Sequence, residues 1–348
     1  MSFKPPRCPN LACPKHLNPS GQRFVRWGYY SARCRERREQ RYRCLACRKT
    51  FSRQTFRHDY RDRRPDINEW LFQLLSSGVG LRQAASTLQV DQATAQNKMR
   101  KMSRTCRLLH ENLCTRLPEG RTYLLDEEES YEQASIRPLT VPILIEKQSY
   151  FIVATAVGSI RRLAPAGSAR RKRQDRLEKR QGKRPDESRR CVRQVLQSLR
   201  QRAPGPIVLR SDQKSSYATL SRSVFGSDLT HETTSGKQPR GTFNPLFPIN
   251  HSIAMSRDNC GRLRRKSWLV SKLAEWLRGQ LSIFTAFRNY VRPRTRRSKR
   301  HETPAHLLKL LPRELSVRET ICWRQDWGRR SIHPMSCRGT QVVGGVAM

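Results

Sequence analysis

The spacing of apolar residues separates an irregular head from a helical segment. Residues 1–60 are rich in cysteine, arginine and aromatic residues and show little helical periodicity. From Asp66 onward apolar residues recur at helical spacing, which predicts helices within 67–75, 81–88 and 92–102. Gly78 and Gly80 are expected to end the first helix, and a short turn at 89–91 joins the other two.

The pattern changes to strand-like runs after residue 120. Thr122–Leu125, Leu139–Ile145 and Tyr150–Val157 are apolar runs separated by turn-like breaks, which predicts an antiparallel meander. Pro142 favours an edge position for the second run, because proline cannot donate a hydrogen bond to a neighbouring strand. A fourth strand is predicted at Ile207–Leu209.

Two further segments flank the fourth strand. The basic stretch 161–202 divides into 161–185, predicted to be a disordered or loop-like insertion, and 186–201, predicted to be a helix. A long helical pattern runs from about His251 to Tyr290, with an irregularity at Gly261. The order β-β-β-α-β-α, with acids after the first and fourth strands, is the layout of a ribonuclease-H-like α/β sheet with flanking helices.

The charge of the chain indicates a polyanionic partner. Lys and Arg total 70 against 28 acidic residues, and the formal net charge is +42. A nucleic acid fits this charge better than a membrane, because no apolar run approaches the roughly 20 residues of a spanning helix. The first residues lack the apolar segment of a signal peptide, so the chain is expected in the cytoplasm, or in a nucleus if its source has one.

Four cysteines of the head have the spacing of a metal site. Cys8 and Cys13 form one pair, Cys44 and Cys47 form a second, and four thiolates suit a tetrahedral Zn²⁺. The second pair lies in a strand–knuckle–strand pattern typical of a zinc ribbon. Cys34 is a candidate substitute ligand, and free thiols without metal are the alternative.

Residues 80–96 have the apolar spacing and polar turn of a helix-turn-helix. Ala85 would allow the two helices to approach closely, and Asp91 would cap the second helix. A plain helical hairpin is the alternative. On a chain of this charge a DNA-reading helix is favoured, and its candidate contacts are Gln92, Thr94, Gln96, Asn97, Arg100 and Lys101.

Two carboxylates follow apolar strand-like runs. Asp126 follows Thr122–Leu125, and Asp212 comes shortly after Ile207–Leu209. Acids at the ends of adjacent strands provide hard oxygen ligands for Mg²⁺ or Mn²⁺, which suits phosphodiester chemistry. A solvated acidic turn at Asp126–Glu129 is the alternative interpretation.

From residue 5 to about residue 300 the chain resembles transposases of bacterial insertion sequences of the IS-one type. The matching segments are 41–51, 81–102, 126–131, 211–217 and 257–272. The resemblance implies a zinc ribbon at 1–60, a helix-turn-helix domain at 61–118 and a DDE-type catalytic domain at 119–300, leaving 301–348 as a tail of unknown role. Asp126 and Asp212 match the first two catalytic aspartates. Asn250, seven residues before Arg257, stands where the family has a glutamate, and His251 is the nearest alternative ligand.

The resemblance implies a DNA transposase that cleaves and transfers strands with Mg²⁺ or Mn²⁺. Its expected partners are double-stranded element ends and target DNA, with homo-oligomers forming on the ends and a nucleoid-associated location. Arg257, Arg264 and Arg265 are expected to contact DNA, and a basic helix at Arg262–Arg300 would hold its backbone. An inactive, transposase-derived DNA-binding protein is the main competitor, and a ribonuclease of the same fold is a third reading.

Overall fold

The computed structural model describes residues 3, 5, 7–18, 24–31, 38–57, 59–239, 241–264 and 267–323. At the amino end a short helix α1 (Pro14–Leu17) precedes strands β1 (Phe24–Ser31), β2 (Arg38–Cys44) and β3 (Thr50–Ser52). The three strands form an antiparallel sheet in the order β1-β2-β3. The expected strands on either side of Cys44 and Cys47 are therefore present, whereas Cys34 lies outside the described residues.

Three helices follow the amino-terminal sheet, as the apolar spacing predicts. They are α2 (Asn68–Ser76), α3 (Leu81–Thr87) and α4 (Gln92–Leu113). Gly78 adopts a positive φ of +76°, and a Cβ added there would lie 2.3 Å from the carbonyl oxygen of Asp258. The turn after α2 therefore requires glycine both for its backbone angle and for its close packing.

A six-stranded mixed sheet forms the centre of the molecule. Its strands are β4 (Thr122–Tyr131), β5 (Pro138–Glu146), β6 (Ile152–Thr155), β7 (Gly158–Ser159), β8 (Ile207–Asp212) and β9 (Leu229–Thr234). The order is β6-β5-β4-β8-β9, with β7 paired to β5. β4, β5 and β6 are antiparallel, which confirms the predicted meander, and β8 and β9 run parallel to β4.

The edge position predicted for Pro142 is wrong. β5 lies between β4 on one side and β6 and β7 on the other. Pro142 is opposite Glu127 of β4, and on its other side it falls between the residues that pair with β6 and those that pair with β7. The interruption between these two short partners is where a residue without an N–H is tolerated.

Helices lie on both faces of the sheet. The helices that follow β7 are α5 (Ala169–Gln181), α6 (Ser188–Arg200), α7 (Ser215–Phe225), α8 (Phe247–Asn259) and α9 (Ala274–Ala286). α6 and α7 pack on one face and α8 and α9 on the other, whereas α5 contributes to neither apolar core. The helix predicted at 186–201 is confirmed as α6. Val192, Val195 and Leu196 of α6 pack in one apolar core with Leu125, whereas Ile249 and Ile253 of α8 pack with Leu124 on the opposite face.

Two expectations about the basic segments are wrong. The insertion 161–185 is not loop-like throughout, since it contains the 13-residue helix α5. The irregularity predicted at Gly261 is confirmed as a 3-10 turn at Gly261–Leu263, but the predicted helix from His251 to Tyr290 is two separate helices, α8 and α9, and α9 continues into a π-helical turn at Phe287–Val291. The expected continuous basic helix Arg262–Arg300 is therefore absent from the described residues.

Part of the segment treated as a tail belongs to the core. Helix α10 (Pro304–Leu307) packs against the segment Phe287–Val291 and α11 (Val317–Ile321) packs against α2 and α4, while Leu311, Leu315 and Trp323 are buried. Residues 324–348 lie outside the described residues. Within the described residues, none of the helices has both the length and the apolar character needed to span a membrane.

The helix-turn-helix segment and the central sheet share one apolar core. Phe72 of α2 and Met102 of α4 belong to the same buried cluster as Tyr123 of β4. Farther along α4, the His110 ring nitrogens lie 2.9 Å from the Tyr290 hydroxyl and 2.9 Å from the Val153 carbonyl oxygen. α4 therefore runs from the turn of the helix-turn-helix into the interior of the sheet domain.

Candidate functional site

Asp126 and Asp212 occupy equivalent positions on neighbouring parallel strands. Leu124 of β4 is in register with Arg210 of β8, and each aspartate follows two residues later. Because side chains alternate along a strand, both carboxylates project from the same face of the sheet as Leu124 and Arg210. Both predicted acids therefore stand at the carboxyl end of the parallel pair, two residues beyond the last residues that pair β4 with β8, where adjacent strands lie about 4.8 Å apart.

Backbone amides orient both carboxylates. The Glu127 N–H donates to Asp126 Oδ1 at 2.7 Å, and the Lys214 N–H donates to Asp212 Oδ1 at 3.1 Å. Burial raises the pKa of Tyr217, and the negative charges of Glu127, Asp126 and Asp212 raise it further. The same phenol therefore lies within the field of both aspartates.

Glu127 lies on the opposite face of β4 and connects the strand to two helices. Its carboxylate accepts hydrogen bonds from Thr140 at 2.6 Å, Ser188 at 3.1 Å and Tyr217 at 2.9 Å, and it forms an ion pair with Lys214. Burial works to raise the pKa of Glu127, but the bonds from Lys214, Thr140 and Tyr217 hold it below its usual value. The charged Glu127 therefore fixes the Lys214 backbone whose N–H contacts Asp212.

An ion pair positions α8 against β4. The Arg257 guanidinium donates from Nε to Glu128 Oε1 at 2.8 Å, and Glu128 is fully buried. Beyond α8, the carbonyl oxygen of Arg262 in the following 3-10 turn accepts the Ser130 hydroxyl at 3.3 Å. Near the start of α8, the His251 ring contacts Tyr150, which lies beside the amino end of β4. These contacts follow the order of β4, so α8 advances in the same direction as the strand.

This direction places Asn250 near the level of the two aspartates. Asn250 precedes Arg257 by seven residues, which is two turns of the same helix face or about 10 Å. Asp126 precedes Glu128 by about 7 Å along β4. Asn250 therefore lies on the Arg257 side of α8 and comes before the Arg257–Glu128 contact along β4.

His251, the alternative ligand, lies elsewhere. Its ring contacts Tyr150 and Phe247, with ring centroids 5.5 and 6.1 Å away. Burial lowers the pKa of His251, and the charges of Arg288 and Arg292 lower it further. These neighbours belong to the turn after β5 and to the segment after α9, at the amino end of β4, so the histidine is a poor candidate for the acidic site.

The acidic site opens onto an exposed part of the sheet. Leu124 and Ile143 are covered by α8 and α9, but Val208, Arg210 and Asp212 of β8 are only partly buried on the same face. Thr230 and Glu232 of β9 are exposed, and Arg210 donates to Glu232 at 2.5 Å. The edge of α8 therefore forms one wall of the site, and the face of β8 and β9 is open to a large substrate.

The donors at this site suit a hard divalent cation. Asp126 and Asp212 supply carboxylate oxygens, and Asn250 supplies at most a neutral carbonyl oxygen. A site with two charges binds Mg²⁺ or Mn²⁺ more weakly than one with three. The oxygen atoms of these residues suit such an ion, but the site has one negative charge fewer than three carboxylates would provide.

The four predicted cysteines form a compact cluster. The Sγ atoms of Cys8, Cys13, Cys44 and Cys47 all lie within 4.8 Å of one another. The Cys8–Cys47 and Cys13–Cys44 sulfur pairs are 3.6 and 4.0 Å apart. A tetrahedral Zn²⁺ with bonds of about 2.3 Å places its sulfurs about 3.8 Å apart, so the cluster fits this ion.

The surroundings shift the pKa values of the cluster thiols in opposite directions, since burial raises the pKa of Cys8 and of Cys13. Burial works to raise the pKa of Cys47, but hydrogen bonds from the Lys49 backbone and from Asn10 help to lower it to about 7. A thiolate is the form that binds zinc. Tyr42, Phe51 and Phe56 pack against one another and belong to the same small buried cluster as Cys8, Cys13 and Cys44.

The helix-turn-helix has the predicted turn and borders a basic groove. Ala84 and Ala85 are buried where α3 meets α4, and Gln89 in the turn has a φ of +52°. A groove of about 860 Å³ lies between residues 61–64 and the amino half of α4. The segment before α2 therefore contributes Arg61, Arg63 and Arg64, which the sequence interpretation did not include, although they form a visible basic run.

The candidate DNA contacts on α4 divide into two groups. Gln92 and Asn97 are exposed, and Thr94 and Gln96 are partly buried. Lys101 donates from Nζ to the Tyr60 carbonyl oxygen at 2.7 Å, and the Arg100 guanidinium lies 5.2 Å from the Trp276 ring centroid. Thr94, Asn97, Arg100 and Lys101 line the groove, whereas Gln92 and Gln96 are not among its lining residues.

The remaining predicted contacts are separated from one another. Arg257 is engaged with Glu128, Arg264 is exposed in the segment after α8, and Arg265 lies outside the described residues. Lys214 and Tyr217 were not predicted as site residues, although the spacing from Asp212 to the start of a helix was a usable signal.

No protein-family model matches the chain, and no curated protein matches it.

Proposed function

We propose that this protein is a DNA transposase whose ribonuclease-H-like domain cleaves and transfers DNA strands in a metal-dependent reaction. The observation that carries the proposal is the register of Leu124 with Arg210 on adjacent parallel strands of a sheet ordered β6-β5-β4-β8-β9, because each of these residues stands two positions before one of the aspartates. The +42 charge, the basic groove beside α4 and the four-cysteine cluster support a DNA substrate.

Each part of the chain has a distinct role in this proposal. The groove lined by Asn97 and by Arg61 and Arg63 binds duplex DNA, with the arginines holding phosphates and α4 reading bases. Asp126 and Asp212 hold Mg²⁺ or Mn²⁺ and present it to a phosphodiester on the open face of β8 and β9. When bound, the ion would activate the attacking oxygen and stabilise charge on the phosphate. The backbone N–H of Lys214 orients Asp212.

The experiment is Mn²⁺-dependent nicking of supercoiled plasmid DNA by the full chain, which requires no knowledge of the element ends. Wild type should nick the plasmid, and Asp126→Asn or Asp212→Asn should abolish nicking while leaving DNA binding unchanged. Asp228→Asn is the matched control, because Asp228 is an acid beside the opposite end of β9 that pairs with Arg200. Nicking that survives both aspartate substitutions would refute the catalytic proposal.

A second function is favoured by one observation. Asn250 provides no charge, and Glu128, the nearest further acid on the same face of β4, is ion-paired with Arg257. These features suit a DNA-binding protein that has lost catalysis. Specific DNA binding with no nicking, in wild type and in Asn250→Glu alike, would select this alternative.

A further inference from the structure

Helix α5 has more basic than acidic side chains, and several of the basic ones are exposed. Lys172, Arg173, Arg176, Lys179 and Arg180 are all exposed. The two acids of the helix are already engaged, since Asp175 pairs with Arg171 at 2.9 Å and Glu178 with Arg161 at 3.4 Å. Within the described part of the chain, the five exposed cations form no ion pair.

The helix is fixed in position by polar contacts. Ser168 caps its amino end by accepting the Arg171 N–H at 3.1 Å, and Gly182 ends it with a φ of +78°. Gln174 is 4% exposed, accepts the Ala164 N–H at 3.0 Å and donates to the Arg162 carbonyl oxygen at 3.1 Å. A merely solvated charge run does not need a buried glutamine that bonds the helix to the segment 162–164 before it.

The anchors connect α5 to the carboxyl end of β4. Arg162 pairs with Glu129 at 2.5 Å, and Arg184 pairs with Glu132 at 3.1 Å. Glu129 is three residues beyond Asp126, or about 10 Å along the strand. The helix is therefore anchored at the same end of β4 as the acidic site, through a glutamate on the Glu127 face of the strand.

Arg173, Arg176 and Arg180 share one face of the helix because they are spaced by three and four residues. They span about 10 Å along the axis, a length over which one strand of duplex DNA presents about three phosphates. A pair of carboxylates repels a phosphate backbone, and this stripe supplies positive charge at the same end of β4.

We propose that the Arg173–Arg176–Arg180 stripe binds the phosphate backbone of the duplex that lies across Asp126 and Asp212. This proposal deepens the proposed function, on which it rests for the identity of the polyanion. Contacts from the stripe are independent of sequence and add to those of the groove beside α4.

The test compares two full-chain variants that remove the same charge. The first is Arg173→Gln with Arg176→Gln and Arg180→Gln, which keeps residues of good helix propensity. The control is Arg296→Gln with Arg297→Gln and Lys299→Gln, at exposed positions. These lie at the amino end of β4, where Arg294 contacts Gln148 and Lys147 contacts Thr122.

Binding of a random-sequence duplex is measured by fluorescence anisotropy over a series of salt concentrations without divalent metal. The stripe variant should reduce the slope of log K against log salt by about 0.9 for each lost phosphate contact, or two to three in total. The control should change the slope by less than one. Equal slopes in wild type and the stripe variant, or equal reductions in both variants, would overturn the proposal.

Two further readouts separate this proposal from the proposed function. If plasmid nicking is present and the stripe variant leaves the slope unchanged, α5 alone is excluded as a DNA contact. If nicking is absent and the slope falls as expected, the stripe binds DNA in a protein that does not cleave it. Should the triple variant misfold by circular dichroism, Arg176→Gln alone should lower the slope by about 0.9, and no change would count against the stripe.

Discussion

Arg257 of α8 is ion-paired with the fully buried Glu128 of β4. This pair holds α8 against the strand that carries Asp126. Asn250 lies two turns before Arg257 on the same helix face, and in the proposed function it stands where a third carboxylate would complete the metal site.

The Lys98–Asp62 ion pair is expected to stabilise the base of the helix-turn-helix. Lys98 Nζ lies 2.8 Å from Asp62 Oδ2 and also donates to the Arg64 carbonyl and to Asn68. Lys98→Met should lower the free energy of unfolding by about 3–5 kcal/mol, because it leaves Asp62 charged and largely buried. Urea denaturation measures this, and Arg107→Met, which breaks an exposed pair with Glu111, should cost less than about 1 kcal/mol. Equal costs would contradict the structural role of Lys98.

The cysteine cluster is expected to hold one Zn²⁺ per chain. Changing both Cys44 and Cys47 to serine should remove the metal, because only two thiolates would remain. Metal analysis of the purified full chain gives the stoichiometry. Cys106→Ser, at a buried cysteine outside the cluster, should keep the zinc. A double variant with undiminished zinc would rule out this site.

Asn97 is the residue of α4 best placed to read DNA sequence, since it is exposed and lines the groove. Asn97→Ala should reduce discrimination between sites by about 1–3 kcal/mol, whereas Arg63→Gln should weaken binding to all duplexes alike. Selection from a random duplex pool, followed by affinity measurements on the selected and scrambled sites, compares the two. An unchanged preference in the Asn97 variant would exclude a base contact there.

The joint between α4 and the sheet is expected to be sensitive to acid. Val153 offers only a carbonyl oxygen, so His110 must donate from Nε2 and accept the Tyr290 hydroxyl at Nδ1, which requires a neutral ring. Burial lowers the pKa of His110 to about 4, against a slight opposing effect of the Val153 bond. The unfolded chain takes up this proton near pH 6.5, so stability is full above that pH and is lost as the pH falls towards 4.

His110→Gln removes this titration. The free energy of unfolding of wild type relative to the variant should decrease by about 2 kcal/mol between pH 7.5 and pH 4.5. Urea denaturation at several pH values tests this, and a wild type–variant difference independent of pH would show that His110 is not held neutral by the fold.

The local elements were predictable because their signals are short-range. The helices around Gly80 and the meander after Thr122 follow from apolar periodicity, and the spacing of the cysteines predicted their cluster. The placement of Asp126 and Asp212 at the same end of neighbouring strands followed from their similar positions after two apolar runs, once the strands were assumed to be parallel neighbours.

Features that depend on distant contacts were not predictable from periodicity. Helix α5 has almost no apolar stripe, and its position depends on Gln174 and on ion pairs with β4. The close approach of Gly261 to the Gly78 carbonyl oxygen joins the turn after α8 to the turn after α2, and Trp323 is buried where α11 packs against α2 and α4. In each case the deciding partner is far away in sequence.

The most direct test of the account is Mn²⁺ binding to the full chain, followed by electron paramagnetic resonance. Asp126→Asn combined with Asp212→Asn should abolish a site that wild type fills, and Asp228→Asn should leave it intact. Asn250→Glu should tighten binding by about tenfold or more, since it adds a third charge to the oxygen ligands. Mn²⁺ binding that is the same in wild type, in the double aspartate variant and in Asn250→Glu would contradict a metal site at Asp126 and Asp212.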